Sequence, residues 1–355
     1  MGWTYSAAGV DIKAADEVKA RIKGLARTTF GPEVLSEIGS FGGLFAVPAG
    51  LRQPVLVASA DGVGTKLKVA VLAEKHDTVG ADLVNHCVDD ILVQGARPLF
   101  FLDYLATGSL NPPIVADVVS GLARACREAG CALLGGEMAE MPDMYAAGEY
   151  DLAGTIIGIV EKDAILPRPD IKPGDEVLGL ASNGLHTNGF SLVRRLCLDA
   201  LRMRLGDFVP EFGSTLGEEL LRTHRNYGLL VHPLLPDGLV KAMVHLTGGG
   251  YQGNIPRVLP DGLGVRIDPR GWPAQPVFTF LAERGGIARD EMFRTFNMGL
   301  GLLLIAAPEQ AREIRSRLEK TGEQVYTAGI ITADAGVEIV PLRSLRLCES
   351  YPVLS

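Results

Sequence analysis

The chain has 355 residues, of which 47% are hydrophobic and 21% are charged, and its net charge is −8. This composition is typical of a globular protein with roughly two domains of ~100–200 residues each. The acidic balance disfavours a nucleic-acid surface, and no apolar run approaches the ~18 residues of a membrane span, so we expect neither a nucleic-acid nor a membrane partner.

The cysteines and the N-terminus indicate a cytoplasmic protein. Five cysteines are scattered along the chain without a CxxC pair. That pattern argues against a disulfide framework or a zinc site and favours a reducing compartment. The first five residues, MGWTY, lack the basic and apolar regions of a signal peptide.

Apolar runs and helical periodicity predict alternating strands and helices in the first half. A helical stripe at Val18, Ile22 and Leu25 comes first, followed by a glycine-rich segment at 39–43. The expected strands cover 54–59, 99–105, 131–134 and 152–160, and the expected helices cover 78–94 and 113–129. The second helix begins at Pro113, a favourable first helical position.

A proline-rich connector at 167–175 indicates a boundary between two domains, 1–170 and 171–355. The expected elements of the second half are a strand at 175–180, helices at 190–205, 213–224 and 308–320, and a strand-rich part at 323–347. Strands and helices that alternate in this way predict an α+β (mixed α/β) fold.

The segment DGVGTK at 61–66 follows the apolar run 55–58. Asp61 supplies a hard oxygen ligand for Mg²⁺, the glycines allow close backbone approach, and Lys66 supplies a positive charge. These groups suit a metal-bound polyphosphate. The spacing is not that of a Walker A loop.

The expected helix at 78–94 separates its polar residues from its core stripe. The side opposite the apolar stripe is predicted to be solvated or to face a site, and it carries Asp82, Asn85, His86 and Asp89. Asp90 lies at the edge of the stripe, where a carboxylate needs a cation or donors. The alternative is that Asp89 and Asp90 are ordinary surface acids.

Glu137 follows an apolar strand and two glycines, Gly135 and Gly136. Ligands gather at strand ends in α/β sheets, so Glu137 is a candidate metal ligand. A plain turn glutamate is the alternative.

Two polar glycine-rich loops in the second half are candidates for anion binding. The first, SNGLHTNG at 182–189, contains His186 away from any apolar stripe and Asn188 as an expected helix N-cap. The second is TGGG at 247–250, which follows His245. A plain flexible turn and a structural His245 are the alternatives. No pattern indicates a catalytic serine or cysteine nucleophile.

Together these segments resemble the phosphoribosylformylglycinamidine cyclo-ligase family, and the resemblance spans nearly the whole chain. The matching segments are YSAAGVDI at 5–12, DGVGTK at 61–66, CVDDILVQGA at 87–96, FFLDY at 100–104, LGGEMAEMP at 134–142, SNGLHTNG at 182–189, TGGG at 247–250 and RTFNMG at 294–299. Two departures are Asp89, where the family usually has Asn, and Thr187, where it usually has Ser.

The resemblance implies an ATP-dependent ring closure. ATP would phosphorylate the formyl oxygen of formylglycinamidine ribonucleotide, and the amidine nitrogen would then expel phosphate to give aminoimidazole ribonucleotide. It also implies a homodimer in which N-terminal sheets pair into a barrel, a C-terminal α+β domain on each side, and Mg²⁺ as cofactor, and it leaves a monovalent cation open.

The resemblance also implies roles for individual residues. The implied catalytic residues are His186, Asp90 and Lys66, and the implied metal ligands are Asp61, Asp90 and Glu137. The implied ATP-binding residues are Lys23, Gly42, Gly43, Gly64, Thr65 and Lys66. The implied ribonucleotide-binding residues are Ser182, Asn183, Thr187, Asn188, Gly248, Gly249 and Gly250.

Two other functions share the acidic first half. Small-molecule kinases, such as thiamine-monophosphate kinase-like and selenophosphate synthetase-like enzymes, have a similar ATP–metal half, and a maturation scaffold of this fold would bind a partner protein instead. The loop at 182–189 and the segment at 294–299 favour the cyclo-ligase over the kinases, and the full set of acidic and glycine elements argues against the scaffold.

Overall fold

Two β-sheets organise the computed structural model, which describes residues 12–341, with side chains described at 19 and from 21 onward. The elements of the first half are α1 (Ile12–Arg27), β1 (Pro54–Gly62), α2 (Lys66–Leu72), α3 (Asp77–Leu92), β2 (Arg97–Thr107), α4 (Pro112–Ala129), β3 (Ala132–Glu140) and β4 (Tyr150–Glu161). The residues at 5–11 of the first matching segment lie outside the described part.

The first sheet has the strand order β1-β4-β2-β3. Its β2–β3 pair is parallel and the other pairs are antiparallel. Helices α3 and α4 pack on one face, which we call the inner face. The other face, the outer face, exposes apolar side chains such as Leu56 and Tyr104. Alternation along each strand therefore separates a helix-covered side from an uncovered one.

Helices α3 and α4 approach closely because glycines meet at their crossing. A Cβ on Gly80 would lie 2.1 Å from the carbonyl oxygen of Val118, and one on Gly121 would lie 2.0 Å from that of Asp77. Helix α4 begins after Asn111, whose side chain accepts from the backbone N–H of Ile114, as an N-cap does. These contacts fix α3 over the sheet, and α3 carries several candidate site residues.

The second half builds the larger sheet. Its elements are β5 (Glu176–Ala181), α5 (Phe190–Arg194), β6 (Phe208–Val209), β7 (Ser214–Thr215), α6 (Leu216–Leu220), α7 (Gly228–Val231), β8 (Ala242–His245), α8 (Gly250–Asn254), β9 (Gly264–Ile267), α9 (Pro276–Gly285), α10 (Arg289–Thr295), β10 (Leu300–Ala306), α11 (Pro308–Glu319), β11 (Val325–Thr332) and β12 (Gly336–Ile339). The strand order is β12-β9-β11-β5-β10-β8, and β6 and β7 form a separate small sheet.

The α+β organisation expected from the sequence is confirmed, as are the strands of the first half and helices α3, α4 and α11. One helix prediction in the second half was wrong, and another extended five residues too far. The segment 213–224 forms the short strand β7 and only five residues of helix, with a Thr215–Glu218 capping box at its start. The helix expected at 190–205 changes to π-helical geometry at Arg195 and ends at Ala200. The domain division at 170/171 stays a prediction, and residues 342–355 lie outside the described part.

The largest hydrophobic core is shared by both halves. It joins the buried faces of α3, α4 and the first sheet to α5, α6 and α9. Val63 and Leu67 belong to the same cluster as Phe190 and Phe278. Two smaller cores cover the faces of the second sheet. Within residues 12–341 there is no helix with the length and apolar character needed to cross a membrane.

Candidate functional site

Four of the six histidines converge where α3 meets the second half of the chain. We call His86, His186, His224 and His245 the histidine cluster. The ring centroids of His86 and His245 are 5.1 Å apart, and those of His186 and His224 are 4.0 Å apart and stacked. All four side chains are buried. The cluster draws on α3, the loop 182–189, the segment before α7 and the end of β8.

Hydrogen bonds link most of this cluster to two carboxylates. His86 Nε2 lies 2.7 Å from Asp61 Oδ2, and His245 Nδ1 lies 2.9 Å from Asp90 Oδ1. The Nε2 atoms of His224 and His245 are 3.0 Å apart. Thr187 Oγ1 lies 2.9 Å from His86 Nδ1 and 3.4 Å from His224 Nδ1. A continuous hydrogen-bonded path therefore runs between the two carboxylates.

The environment sets different charges on these imidazoles. Burial, together with the surrounding positive groups, holds the pKa of His186 and of His224 well below the usual value. Burial also lowers the pKa of His245, although Asp90 opposes that shift. At His86 burial is outweighed by the hydrogen bond to Asp61 and the charge of Asp90, so its pKa is raised. The positive charge of the cluster is therefore concentrated at His86.

Asp61 and Asp90 flank His86 and are the two acidic site candidates that the structure brings together. Asp90 Oδ2 is 3.8 Å from His86 Nε2 and accepts from Ser59 Oγ at 3.0 Å. Burial raises the pKa of each carboxyl, but the hydrogen bonds from His86 to Asp61 and from His245 to Asp90 lower both pKa values overall. The side chains are 43% and 26% exposed, so both ionised carboxylates remain reachable from solvent.

Lys66 is turned away from this opening. Its side chain is fully buried, and its ammonium lies 2.8 Å from Asp82 Oδ2. The same ammonium donates to the backbone carbonyls of His186 and Arg222. All donors of this ammonium are therefore satisfied inside the protein, and the contact of Lys66 with ATP stays a prediction. The hydrogen bonds to the carbonyls of His186 and Arg222 attach Lys66 to the second half.

The polar side of α3 is buried, so the interpretation of Asp89 as a surface acid was wrong. Asp89 is fully buried and Oδ1 accepts from the backbone N–H of Tyr227 at 3.0 Å. Burial raises its pKa well above the usual value. Asn85 donates to the carbonyl of His224, and Asp82 accepts from the backbone N–H of His224. This side of α3 holds the segment 222–227 in place.

Glu137 is not part of the group around His86. The strand β3 continues past it to Glu140, so Glu137 lies within a strand and not in a turn. Strand pairing aligns Asp61 with Gly154, Asp103 and Gly136 in one row across the sheet. Glu137 belongs to the next row and therefore faces the outer side, about 14 Å away from β1 across three strand spacings. One ion within a single chain cannot join Asp61 and Glu137.

Asp103 lies in the same row of the sheet as Asp61, with Gly154 between them. Burial raises the pKa of Asp103 to about 7. A depression of about 350 Å³ opens over this part of the sheet. It is lined by Ala60, Asp61, Leu102, Asp103, Tyr104, Ala153, Gly154 and Thr155. Most of the lining side chains belong to the rows on either side of Asp61, so the depression lies on the outer face, whereas the Asp61 side chain faces His86 on the inner side.

The remaining nucleotide candidates lie on the first half. Lys23 is 3.8 Å from Glu37, and a Cβ on Gly43 would clash with Leu134 at 2.5 Å, so the glycine loop packs close to β3. Gly42 has open space around it. Gly64 adopts φ +69°, and Thr65 Oγ1 lies 3.1 Å from Ser191 Oγ of α5. The turn 61–66 therefore contacts the second half directly.

The loop 182–189 is held by a network of its own. Ser182 Oγ donates to Asn297 Oδ1, and Asn297 Nδ2 donates to the carbonyl of Gly184. His186 Nε2 accepts from the backbone N–H of Asn183 at 3.1 Å, while its Nδ1 is buried without a hydrogen-bond partner. His186 is only 1% exposed and has φ +59°, so the expectation that it is not a core histidine was wrong.

The two candidate substrate loops meet at Asn188. Its Oδ1 would lie 3.3 Å from a Cβ on Gly248, and its Nδ2 is buried without a partner. Gly249 and Gly250 adopt φ +92° and +57°, and a Cβ on Gly250 would lie 1.9 Å from the carbonyl oxygen of Phe293. Asn188 is not the N-cap of α5, since Gly189 takes that position.

The sequence reasoning missed most of the histidine cluster. His224 occupies no recognisable motif. His86 was placed on the polar side of the expected helix 78–94 and His245 before the TGGG loop, but no contact between the histidines was predicted. Their convergence requires α3 to contact β8 and the segment 222–227. Both of these lie at least 130 residues after α3 along the chain. The small number of histidines, six in 355 residues, was the only available signal.

Comparisons with known proteins agree with this architecture. The family described as "AIR synthase related protein, N-terminal domain" matches residues 48–160, and its C-terminal counterpart matches residues 172–341. Thiamine-monophosphate kinase from Stenotrophomonas maltophilia is similar in structure, with a TM-score of 0.65 and 19% identity over 93% of this chain and 96% of that one. The hydrogenase maturation protein HypE in complex with ATP has a TM-score of 0.61 and 18% identity, covering 86% of this chain and 83% of its own. Because the sequence identities are only 19% and 18%, these structural similarities show a shared fold and nothing further.

Closer relatives share most of the sequence. A phosphoribosylformylglycinamidine cyclo-ligase from Trichlorobacter lovleyi is 50% identical over 327 residues, which cover 92% of this chain and 94% of the relative. One from Myxococcus xanthus is 52% identical over 338 residues, covering 95% and 98%. The chain belongs to the phosphoribosylformylglycinamidine cyclo-ligase family.

Proposed function

We propose that the protein catalyses the ATP-dependent closure of formylglycinamidine ribonucleotide to aminoimidazole ribonucleotide, releasing ADP and phosphate, as a step of purine biosynthesis in the cytoplasm. The observation that carries the proposal is the identity of about 50% to cyclo-ligases over more than 90% of the chain. The contacts of Thr65 with Ser191 and of Asp90 with His245, which join the acidic segments to the second half, support it.

In this proposal Asp61 and Asp90 are the ligands of the magnesium that accompanies ATP. The fit is chemical: both are ionised, partly exposed carboxylates on neighbouring elements, and Mg²⁺ prefers such oxygens. Bound there, Mg²⁺ would neutralise negative charge on the triphosphate. Glu137, Lys23, Gly42, Gly43, Gly64 and Thr65 remain proposed nucleotide-side residues around the same sheet.

Asn188 and the glycines 248–250 are proposed to bind the ribose phosphate. The unpartnered Nδ2 of Asn188 is a buried donor that needs an acceptor, and a phosphate oxygen would satisfy it. The glycines leave the facing backbone bare, so an anion can approach closely. Ser182, Asn183 and Thr187 belong to the same loop, and their side chains mainly hold its shape.

His186 is proposed to accept a proton at the reacting amide, and the loop 182–189 is proposed to position it there. Because burial keeps this imidazole neutral, it is a candidate to accept a proton when the amidine nitrogen attacks the activated formyl carbon. Phosphorylation converts the formyl oxygen into a better leaving group, and the protein's task is to hold the two reacting atoms together while excluding water. Lys66 supports this loop from inside, through the carbonyl of His186.

The protein is proposed to act as a homodimer in which the outer faces of two first sheets pack together. The uncovered apolar face with Leu56 supports this arrangement, since an exposed apolar patch of this kind marks an interaction surface.

The proposal is tested by incubating purified protein with MgATP and formylglycinamidine ribonucleotide and measuring the aminoimidazole product and ADP. One ADP per product molecule is expected, with no phosphorylation of thiamine phosphate under the same conditions. ATP turnover that is independent of the amidine ribonucleotide would contradict the assignment.

A further inference from the structure

Among residues 12–341, two groups of three side chains bring one ligand atom each within 4.8 Å of one another. One group is His186, His224 and His245, and the other is His86, Asp90 and His245. The first group is poorly shaped for an ion. The rings of His186 and His224 stack with an interplanar angle of 28°, so their in-plane lone pairs point in similar directions and do not converge.

The second group has a better geometry. The rings of His86 and His245 are inclined at 68°, so their lone pairs can meet at one point. His245 Nδ1 is 2.9 Å from Asp90 Oδ1, and His86 Nε2 is 3.8 Å from Asp90 Oδ2. Ligand atoms around a tetrahedral zinc ion, with bonds of about 2.1 Å, are about 3.4 Å apart. Both observed separations lie within about 0.5 Å of that value. They end on different oxygens of Asp90, so one ion also requires a rotation of that carboxylate.

Asp61 is placed to provide a fourth ligand. Its Oδ2 lies 2.7 Å from His86 Nε2, on the same nitrogen that faces Asp90. Two imidazole nitrogens and two carboxylate oxygens form a donor set that suits late first-row divalent ions better than Mg²⁺, which takes oxygen ligands almost exclusively. The scattered cysteines argued against a zinc site, but that argument concerns thiolate ligands only.

The hydrogen-bonded path between the two carboxylates holds one positive charge, which a metal ion can supply in place of a proton. The path through the cluster contains five hydrogen-bond contacts, and its members in order are Asp61, His86, Thr187, His224, His245 and Asp90. Three neutral imidazoles and one hydroxyl supply four hydrogens, so the five contacts between two ionised carboxylates are complete only when one imidazole, His86, carries an additional proton.

A bound cation can replace the additional proton of His86. An ion bound to His86 Nε2 and His245 Nδ1 replaces the contacts of these histidines with Asp61 and Asp90. Three hydrogen bonds of the path then remain. His86 Nδ1 and His224 Nδ1 then donate to Thr187, and His245 Nε2 donates to His224. Each ligating imidazole thus has a partner for its other nitrogen, the arrangement that fixes the tautomer in metal sites.

We propose that His86, His245, Asp90 and Asp61 form a binding site for one divalent transition-metal ion of the zinc type. The site shares its two carboxylates with the magnesium site proposed above, but the inference does not rest on the cyclo-ligase activity, because it concerns binding of the ion to the protein alone. Two ions competing for these carboxylates would make zinc an inhibitor of magnesium binding.

The test uses tag-free protein stripped with a chelator, without nucleotide or substrate. Zn²⁺ is titrated by calorimetry, and Co²⁺ is added as a spectroscopic probe of coordination. One Zn²⁺ per chain is expected, with a visible Co²⁺ spectrum of four-coordinate type. His86→Gln and His245→Gln should each weaken Zn²⁺ binding by at least about 100-fold. The control His232→Gln, which changes a histidine outside the cluster, should bind as the wild type does.

Zinc affinity no better than that for Mg²⁺, less than one ion per chain, or affinity unchanged in His86→Gln would overturn the proposal. If circular dichroism shows that the variants do not fold, the wild-type Co²⁺ spectrum decides: a spectrum like that of hydrated Co²⁺ overturns the site, and four-coordinate bands that disappear on adding Zn²⁺ support it. A protein that binds no zinc yet turns over the amidine ribonucleotide separates failure of this inference from failure of the proposed function.

Discussion

The ammonium of Lys66 and the carboxylate of Asp82 lie 2.8 Å apart, and neither side chain is exposed to solvent. The pair joins the turn after β1 to α3 beneath the loop that carries His186. In the sequence this lysine is part of a phosphate-type motif, but the structure places it inside the protein.

Replacing Lys66 by methionine should therefore destabilise the fold. Loss of one member of a buried ion pair leaves the other charge uncompensated and typically costs about 3–5 kcal/mol. We expect a decrease of this size in the free energy of unfolding measured in urea. The control Lys68→Met removes an exposed partner of Glu149 and should cost at most about 1 kcal/mol. Wild-type stability with a selective loss of ATP binding would instead restore Lys66 to the nucleotide site.

Asp61→Asn should weaken the binding of MgATP by about 10-fold, or ~1.4 kcal/mol, because an amide oxygen is a poorer ligand than a carboxylate. Calorimetry with a non-hydrolysable ATP analogue measures the change. Asp163→Asn, which alters a surface carboxylate paired with Arg52, is the matched control. Equal nucleotide affinity in the two variants would remove Asp61 from the metal site.

His186→Asn should lower kcat by about 100-fold while the protein stays folded. Asparagine tolerates the positive φ of this position, and its side-chain oxygen can accept the N–H of Asn183. His76→Asn, a change at a buried histidine paired with Tyr150, is the control for loss of an imidazole. A wild-type rate in the His186 variant would assign the residue to structure alone.

His232 should make the protein less stable in acid. Burial, helped by the charge of Arg97, lowers its pKa to about 4. Its contribution is complete above the unfolded value near 6.5 and is lost as the pH falls from there towards 4, because only the unfolded chain takes up the proton. The slope is at most about 1.4 kcal/mol per pH unit. The free energy of unfolding, measured in urea between pH 6.5 and 4, should fall less steeply with decreasing pH in His232→Gln than in the wild type. An equal dependence on pH in the two proteins would contradict the prediction.

Leu56→Asp should dissociate the proposed dimer. Leu56 is 62% exposed on the outer face of the first sheet, and an aspartate there would be buried without a partner in the interface. Sedimentation velocity would show a monomer. Leu72→Asp is the matched control, because Leu72 is equally exposed but belongs to α2. A wild-type protein that sediments as a monomer, or a dimer that is unaffected by Leu56→Asp, would place the interface elsewhere.

The sequence was sufficient to predict elements whose residues lie close along the chain. The strands of the first half were found because apolar runs end at glycine and proline, and α4 because Pro113 and the apolar period coincide. The segment 213–224 failed because its helical pattern competes with the β6–β7 pairing, a tertiary feature.

The site was harder to predict because it is assembled from distant segments. Asp61 and Asp90 were identified as acids near glycines or an apolar stripe, but nothing local shows that both contact histidines. The burial of Lys66 depends on Asp82 and on carbonyls more than 100 residues away. Strand parity placed Glu137 on the opposite face, and parity can be read only when the full extent of β3 is known.

The shared core has a consequence for how the molecule melts and can be divided. Val63 and Leu67 of the first half share one hydrophobic core with Phe190 and Phe278 of the second half. Cleavage of the chain at the connector, followed by separation of the halves, would therefore expose apolar surface on both fragments. Neither fragment is then expected to stay dispersed alone, and heating should produce a single calorimetric peak. A chimera that combines one half of this protein with the other half of a distant homologue would require redesign of the residues in the shared core.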